Sequence, residues 1–177
     1  MIKYCRLYGM RKIKVPRYAL TLLTGICIGI IIKFFFLDIL EVQGKSMEPT
    51  LSDGQKIFVN KLAYGITEPF GSSRLFSWNS PQENDIVVFL YKNRLVVKRC
   101  VAIENTILEY STESGYTLTA NKKEYPLTEL QYNLLKETTS VPEGTILAIG
   151  DNYSNSIDSR TYGFVPQENI LGRITVR

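Results

Sequence analysis

Residues 95–103 read LVVKRCVAI, and this short stretch decides the fold class. Alternate side chains of a β-strand point to opposite faces of the sheet. Both faces of this stretch are apolar around a central pair, Lys98 and Arg99, which is typical of a strand buried on both sides. The sequence therefore predicts a β-sheet core with a lysine in the middle of one of its buried strands.

Short apolar runs between turn residues recur through the rest of residues 38–177. Gly, Pro, Asn and Asp supply the turns, and one segment, 127–136, predicts a helix. About 140 residues are enough to bury a core of their own, so the sequence predicts a single, mainly β domain. The predicted strands cover residues 56–60, 85–91, 95–103, 106–110, 116–119, 145–149 and 170–176.

Residues 68–81, EPFGSSRLFSWNSP, predict a loop that is rich in aromatic side chains, among them Phe70, Phe76 and Trp78. In a soluble protein these rings would fold back onto a core. Beside a membrane they would equally well lie in the headgroup region, which Trp and Phe favour. The sequence leaves both alternatives open.

Residues 18–37, YALTLLTGICIGIIIKFFFL, form a long apolar run whose only charged residue is Lys33. At helical rise such a run spans about 30 Å, the thickness of the hydrocarbon core of a bilayer. A buried helix of a soluble domain rarely continues so far without polar breaks. A cleavable signal peptide ends in small residues, whereas this run ends in FFFL. The sequence therefore predicts an uncleaved transmembrane anchor.

The charge is distributed unevenly along the chain. Of 21 basic and 17 acidic residues, seven basic and no acidic ones lie in residues 1–33. By the positive-inside rule, the sequence predicts a cytoplasmic tail over 1–17, a single anchor over 18–37 and an extracytoplasmic domain over 38–177 of a cell-membrane protein. With the acidic excess left in that outer domain, no nucleic-acid partner is predicted.

The three cysteines fall in three different predicted regions, with Cys5 in the tail, Cys27 in the anchor and Cys100 in the outer domain. No two of them can meet within one chain, so no intramolecular disulfide is predicted. The sequence has no histidine and no cysteine pair at metal-ligand spacing, so neither a zinc site nor a cofactor is predicted.

Residues 44–51, GKSMEPTL, are typical of the surroundings of a reactive serine. A serine nucleophile needs a base, and histidine is absent. Lys98 can take that role if burial lowers the pKa of its amine by about three units. Arg99 cannot, because a guanidinium effectively never loses its proton. The plainer alternatives are that Ser46 is a turn residue and that the amine of Lys98 reaches water.

Residues 150–166, GDNYSNSIDSRTYGFVP, form a polar segment that follows a predicted strand. Taken alone, it reads as a solvated loop with an ion pair between Asp158 and Arg160. The functional interpretation is a rigid loop in which a hydroxyl orients the amine of Lys98 while the ion pair braces the loop.

Four stretches, in this order along the chain, resemble the bacterial type I signal peptidases. The resemblance implies a membrane-anchored Ser-Lys protease that removes N-terminal signal peptides from exported preproteins at the outer face of the membrane. It implies a catalytic domain of coiled β-sheets whose groove faces the bilayer, with preproteins, the lipid bilayer and the secretion translocon as partners. The four stretches are SMEPTL at 46–51, NDIVVF at 84–89, VVKR at 96–99 and the whole of 150–166.

The resemblance also implies a role for each matching residue. Ser46 corresponds to the nucleophile and Lys98 to the general base. Ser156 corresponds to the hydroxyl that orients the lysine, and Asp158 and Arg160 correspond to a supporting ion pair.

Two more positions matter for the pocket. Met47 corresponds to a residue that shapes the substrate pocket and faces the membrane. Gly44 stands where some members carry a serine that assists the oxyanion hole, so a main-chain N–H, first of all that of Ser46, is the expected oxyanion donor. The other departures from the family pattern concern loops: Asn84 replaces a glycine, residues 102–105 (AIEN) replace a Gly-Pro-Gly turn, and Tyr153 replaces an arginine.

Three alternatives stay open beside the general signal peptidase. One is a processing peptidase dedicated to a single pilin-like or other exported substrate. Another is a membrane-tethered relative without catalytic activity. A self-cleaving Ser-Lys repressor-type protease shares the chemistry, but it would be soluble and carry a DNA-binding segment.

Overall fold

A helix followed by a strand opens the part of the chain that the computed structural model describes, which comprises residues 16–67, 74–113 and 115–175. Helix α1 is Arg17–Phe35, and strand β1 is Leu37–Glu41. None of the helices in these ranges meets the length and apolar character of a membrane span. Residues 1–15 of the predicted tail lie outside the described residues.

The remainder of the described chain is mainly β, as the sequence predicts. Two further short helices are α2, Glu129–Leu135, and α3, Ser159–Tyr162. The other strands are β2 Lys56–Asn60, β3 Gly65–Thr67, β4 Arg74–Ser77, β5 Ile86–Tyr91, β6 Arg94–Ile103, β7 Leu108–Ser111, β8 Thr117–Ala120, β9 Lys123–Pro126, β10 Thr145–Ile149, β11 Val165–Pro166 and β12 Ile170–Ile174.

Within the described residues, seven strands form the main sheet in the order β1-β2-β12-β5-β6-β10-β11, and neighbouring strands run antiparallel. The C-terminal strand β12 lies between β2 and β5, so the two ends of the domain are joined in one sheet. Strand β6 has a partner on each side, and its Lys98 lies opposite Val87 of β5. The lysine is therefore held in the interior of the sheet.

A second sheet, β7-β8-β9, packs beside the main one. Its buried side chains, such as Leu118 and Tyr125, share one apolar cluster with Leu147 and Ile149 of β10. Helix α2 joins this cluster through Leu135 and begins with a capping box, in which a threonine hydroxyl and a glutamine side chain satisfy main-chain N–H groups. The small sheet and α2 thus form one wall beside the end of β10.

The predicted aromatic loop over 68–81 is partly a hairpin, because β3 and β4 pair as a two-stranded sheet. The two described aromatic side chains, Phe76 and Trp78, do not fold back onto a core. Phe76 is 71% exposed and Trp78 is 56% exposed, although the indole N–H of Trp78 donates to the carbonyl of Leu62. Phe70 lies outside the described residues.

The predicted strands 56–60 and 145–149 have the observed limits, and the others differ by one or two residues within the described ranges. The predicted helix 127–136 is shorter, because its first residues form the cap. The sequence prediction misses β1, β3, β4, β9 and β11. Strand β1 follows the apolar run and shares only residue 37 with it, and β3, β4 and β11 are two to four residues long. Strand β9 begins with exposed charged residues at a sheet edge, where apolar alternation is absent.

Candidate active site

Lys98 and Ser46 lie in contact. The Nζ atom of Lys98 donates a hydrogen bond to Oγ of Ser46 at 2.8 Å and another to the main-chain oxygen of Val97 at 3.0 Å. Lys98 is only 4% exposed, so its amine does not reach solvent as a surface lysine would. The fold has therefore placed a buried amine within proton-transfer distance of a serine hydroxyl.

Burial lowers the pKa of Lys98, because the ammonium form loses its hydration. The carboxylates of Asp158 and Asp151 act in the opposite direction, and Arg160 acts in the same direction as burial. Both carboxylates are paired with arginines, which weakens their attraction for the amine. The net result is a pKa below the ordinary lysine value, which increases the fraction of neutral amine, the form that can accept the proton of Ser46.

The segment that contains the predicted nucleophile Ser46, residues 44–51, is called the nucleophile segment. It is anchored by apolar side chains on the C-terminal side of Ser46. Met47 and Leu51 are 1% and 0% exposed, respectively, and both belong to an apolar cluster with Ile57 of β2. Met47 also lines the groove beside Ser46, as a pocket-shaping residue should. Its position relative to a membrane stays a prediction.

Gly44 forms a turn before the nucleophile. Its φ of 87° is in the left-handed region that favours glycine, and its N–H donates to Oδ1 of Asp53 at 2.7 Å. Among the described residues, a Cβ built on Gly44 would meet no atom within 4 Å. Within the described ranges no protein group accepts a hydrogen bond from the N–H of Ser46, so this donor is available to an oxyanion.

The loop that follows β10 crosses directly beside the nucleophile. The N–H of Asn152 donates to the carbonyl of Ser46 at 3.0 Å. A Cβ on Gly150 would clash with Oγ of Ser156 and would lie 2.5 Å from the carbonyl oxygen of Ser46. Only glycine permits this approach, so Gly150 fixes how closely the two segments pack.

Ser156 lies beside the nucleophile segment but is not bonded to the lysine. Its Oγ is buried and has no hydrogen-bond partner among the described residues. The bond to Lys98 that the family resemblance implies is therefore not formed in this structure, and the amine uses the carbonyl of Val97 instead. A buried hydroxyl without a partner costs roughly 1–3 kcal/mol, which favours a functional role over a packing role.

Asp158 and Arg160 form a buried, bidentate ion pair. They are 0% and 2% exposed, and the guanidinium Nε and one terminal nitrogen each lie 2.9 Å from a carboxylate oxygen. Asp158 also accepts from the N–H of Gly150, and Arg160 donates to the carbonyls of Pro126 and Tyr153. The pair therefore ties the loop after β10 to the small sheet.

A second ion pair, which sequence reasoning does not identify, lies next to the lysine. Arg99 contacts both carboxylate oxygens of Asp151, at 2.8 and 2.6 Å, and also donates to Thr50 and to the carbonyl of Asn84. It thereby links strand β6 to the nucleophile segment and to the loop after β10. The sequence does contain a signal for this pair. Asp151 follows the predicted strand 145–149 after a single glycine, and Arg99 lies at the centre of the predicted strand 95–103.

A groove of about 740 Å³ contains the Ser46–Lys98 contact. One wall is the chain after β1, including Val42 and Gln43, and the other is the first half of β6, including Val96 and Val97. Strand residues line the groove on both sides, among them Leu40 of β1 and Val96 of β6, and strands can pair with an extended peptide. The groove can present the carbonyl of a bound peptide to Ser46.

A serine hydroxyl against a buried lysine amine is the arrangement of hydrolases in which lysine replaces histidine. A sequence profile of the family described as "Signal peptidase, peptidase S26" matches residues 15–177. The chain belongs to this family and is a serine endopeptidase.

Bacterial signal peptidases are similar to the chain over most of its length. "Probable signal peptidase I-1" of Synechocystis sp. is 30% identical over 170 residues, which cover 88% of this chain and 78% of that protein. "Signal peptidase I" of Bacillus caldolyticus is 32% identical over 167 residues, covering 86% and 85%. The crystal structure of a signal peptidase I from Enterococcus faecalis V583 aligns with 56% of this chain and 100% of its own, with 28% identity and a TM-score of 0.40.

Replacing Asp158 by Asn should destabilise the fold strongly, because it leaves Arg160 as an unpaired buried charge. The expected loss is about 3–5 kcal/mol in the free energy of unfolding, measured by denaturant titration. Asp38→Asn is the control, since it removes an ion pair with Lys61 whose side chains are 28% and 22% exposed, and should cost less than about 1 kcal/mol. Similar losses of unfolding free energy in both variants would contradict the conclusion that the buried pair of Asp158 and Arg160 stabilises the fold.

Gly150→Ala should lower kcat/KM by about 100-fold or more, because the added methyl group displaces the nucleophile segment by a fraction of an ångström to an ångström. Gly29→Ala is the control, as a Cβ there meets nothing within 4 Å. Cleavage of a precursor is measured together with thermal unfolding. A Gly150→Ala protein with unchanged kcat/KM would show that the close approach is not required.

Proposed function

We propose that this member of the signal peptidase family cleaves exported preproteins with Ser46 as the nucleophile and Lys98 as the general base. The observation that carries the proposal is the 2.8 Å contact between Nζ of Lys98 and Oγ of Ser46, made by a lysine that is 4% exposed. Burial favours the neutral amine, and a neutral amine is what a histidine-free serine enzyme needs.

Acylation begins when neutral Lys98 takes the hydroxyl proton of Ser46, and Oγ attacks the carbonyl carbon of the peptide bond. The developing oxyanion is stabilised by the main-chain N–H of Ser46. The ammonium of Lys98 then gives its proton to the leaving amine, the C–N bond breaks, and the mature protein departs. The signal peptide stays attached to Ser46 as an ester.

Deacylation repeats the sequence with water in place of the amine. Lys98, again neutral, takes a proton from water, the hydroxide attacks the ester carbonyl, and the proton returns to Oγ of Ser46 as the signal peptide leaves. We assign to Ser156 the role of orienting the amine as it cycles between its charged and neutral forms. The ion pair of Asp158 and Arg160 has the role of holding that loop.

We propose that the substrate binds as an extended chain along the groove. Main-chain hydrogen bonds to the groove walls would supply affinity, and side-chain pockets would supply selectivity. Small residues one and three positions before the cleaved bond follow from the A-x-A rule for signal peptides. Met47, at the floor of the groove, would limit the depth of the first pocket.

Residues 18–37 are proposed to anchor the protein in the cell membrane, with the tail 1–17 in the cytoplasm and the domain 38–177 outside. The support is the apolar run, its length and the basic residues before it. Confining enzyme and substrate to one membrane raises their effective concentration. The exposed rings of Phe76 and Trp78 are suited to the headgroup region, and the secretion translocon is the expected source of substrate.

A peptidase dedicated to one exported substrate would use the same site. The range of substrates that the protein cleaves therefore distinguishes a dedicated peptidase from a general signal peptidase. Incubating the detergent-solubilised protein with a panel of precursors, followed by N-terminal sequencing of the products, tests the general function. Cleavage of many precursors after small residues supports it, and cleavage of a single precursor supports the dedicated enzyme. A non-catalytic relative would cleave none and would not be labelled at Ser46 by an acylating inhibitor.

Ser46→Ala and Lys98→Arg should each abolish precursor cleavage, with losses in kcat on the order of 10⁴-fold or more, because nucleophile and base act as a unit. The controls are Ser80→Ala and Lys136→Arg, which change exposed residues away from the groove. Circular dichroism checks that every variant is folded. Normal cleavage by the Lys98→Arg protein would end the dyad proposal, since a guanidinium cannot act as the base.

The pH dependence of kcat/KM should show a rising limb that reports the deprotonation of Lys98. Because burial lowers the pKa of this amine, the limb should lie below the ordinary lysine value of about 10.4. Activity is lost as pH falls through the lowered pKa and the amine becomes charged. A limb at the ordinary value, or no limb between pH 6 and about 10, would argue against a buried neutral base.

A further inference from the structure

A second cavity, of about 780 Å³, borders the nucleophile segment at Glu48 and Pro49, whereas the catalytic groove borders it at Ser46 and Met47. Its walls come from three places: Glu48 and Pro49 directly after the nucleophile, the loop after β10, and the start of α2 with Leu127 and Gln131. The small sheet and α2 therefore supply one wall of a cavity that begins two residues beyond Ser46.

The two cavities share a dividing wall. Ser154 and Ser156 line the second cavity, whereas Asn155 and Ile157 line the catalytic groove. The adjacent Asn152 holds the carbonyl of Ser46 by a hydrogen bond of 3.0 Å and also lines the second cavity. The nucleophile thus lies at the junction of the two.

The positions of the two cavities relative to Ser46 indicate how a bound peptide would run through the site. The catalytic groove leads away from Ser46 along the chain after β1 and the first half of β6. An extended peptide that fills this groove with the residues before the cleaved bond continues past Ser46 on the opposite side. The cavity beyond Glu48 and Pro49 is where the residues after the bond would pass.

The charge of the second cavity is set by Glu48. The other charged groups of its wall are already paired, Asp151 with Arg99 and Arg160 with Asp158. Glu48 is partly exposed and forms no ion pair within the described residues. The cavity therefore presents one uncompensated carboxylate to whatever enters.

We propose that this cavity binds the first residues of the mature protein, directly after the cleaved bond, and that Glu48 makes it prefer a basic residue there over an acidic one. The proposal rests on the proposed function of the site. It gives the small sheet and α2 a role in substrate selection, and it makes Glu48 a specificity-determining residue that takes no part in the chemical step.

The test compares two precursors that differ only at the second and third residues of the mature part, with Lys in one and Asp in the other. The wild-type protein should cleave the Lys precursor with a kcat/KM about three- to fivefold higher, the size expected of a partly exposed charge pair. Glu48→Gln, which keeps the shape of the side chain, should bring this ratio close to one. Glu48→Lys should invert it, and added salt should reduce it in the wild type.

The control variant is Glu143→Gln, which removes an exposed carboxylate that lines neither cavity and should leave the ratio unchanged. A wild-type ratio near one, or a ratio that Glu48→Gln does not alter, overturns the proposal while leaving the proposed function intact. Failure of the wild-type protein to cleave either precursor would instead count against the proposed function itself.

Discussion

The site depends on one energetically unfavourable arrangement, in which the amine of Lys98 is buried inside the main sheet against the hydroxyl of Ser46. An isolated ammonium there would lose hydration worth several kcal/mol, so the neutral form is favoured. Asp158 and Asp151 oppose this effect, but each is paired with an arginine. An unpaired aspartate at either position would raise the pKa of Lys98 further toward its ordinary value. The ion pairs therefore help to keep the pKa of the amine low, and they also hold the loops in place.

Three separate segments meet at this lysine, and a different interaction fixes each. Apolar burial of Leu51 anchors the nucleophile segment. The close approach at Gly150 sets the loop after β10 against it. Arg99 connects both segments to strand β6. Because Lys98 and Arg99 are adjacent, the strand that carries the proposed base also carries the arginine that contacts the segment of Ser46 through Thr50.

The β class, most strand positions and the central residues could be predicted from local pattern. The strand around Lys98 is apolar on both faces, so burial of its centre is expected from the pattern, although its two ends are exposed. Strand β9 could not be predicted, because a polar sequence is held at the sheet edge by pairing with β8. The exposure of Phe76 and Trp78 could not be predicted either. The sequence pattern of this loop is compatible both with aromatic rings in a core and with aromatic rings at the surface.

The sequence by itself determined the candidate reactive groups, because a serine nucleophile in a chain without histidine needs another base, and a lysine on a buried strand can have a pKa low enough for that role. Tertiary structure alone decided which groups meet. The pairing of Arg99 with Asp151, the unpaired hydroxyl of Ser156 and the cavity beyond Glu48 all arise from contacts between residues far apart in the chain. The spacing of residues along a sequence does not predict such contacts, since they depend on how strands pair and loops cross.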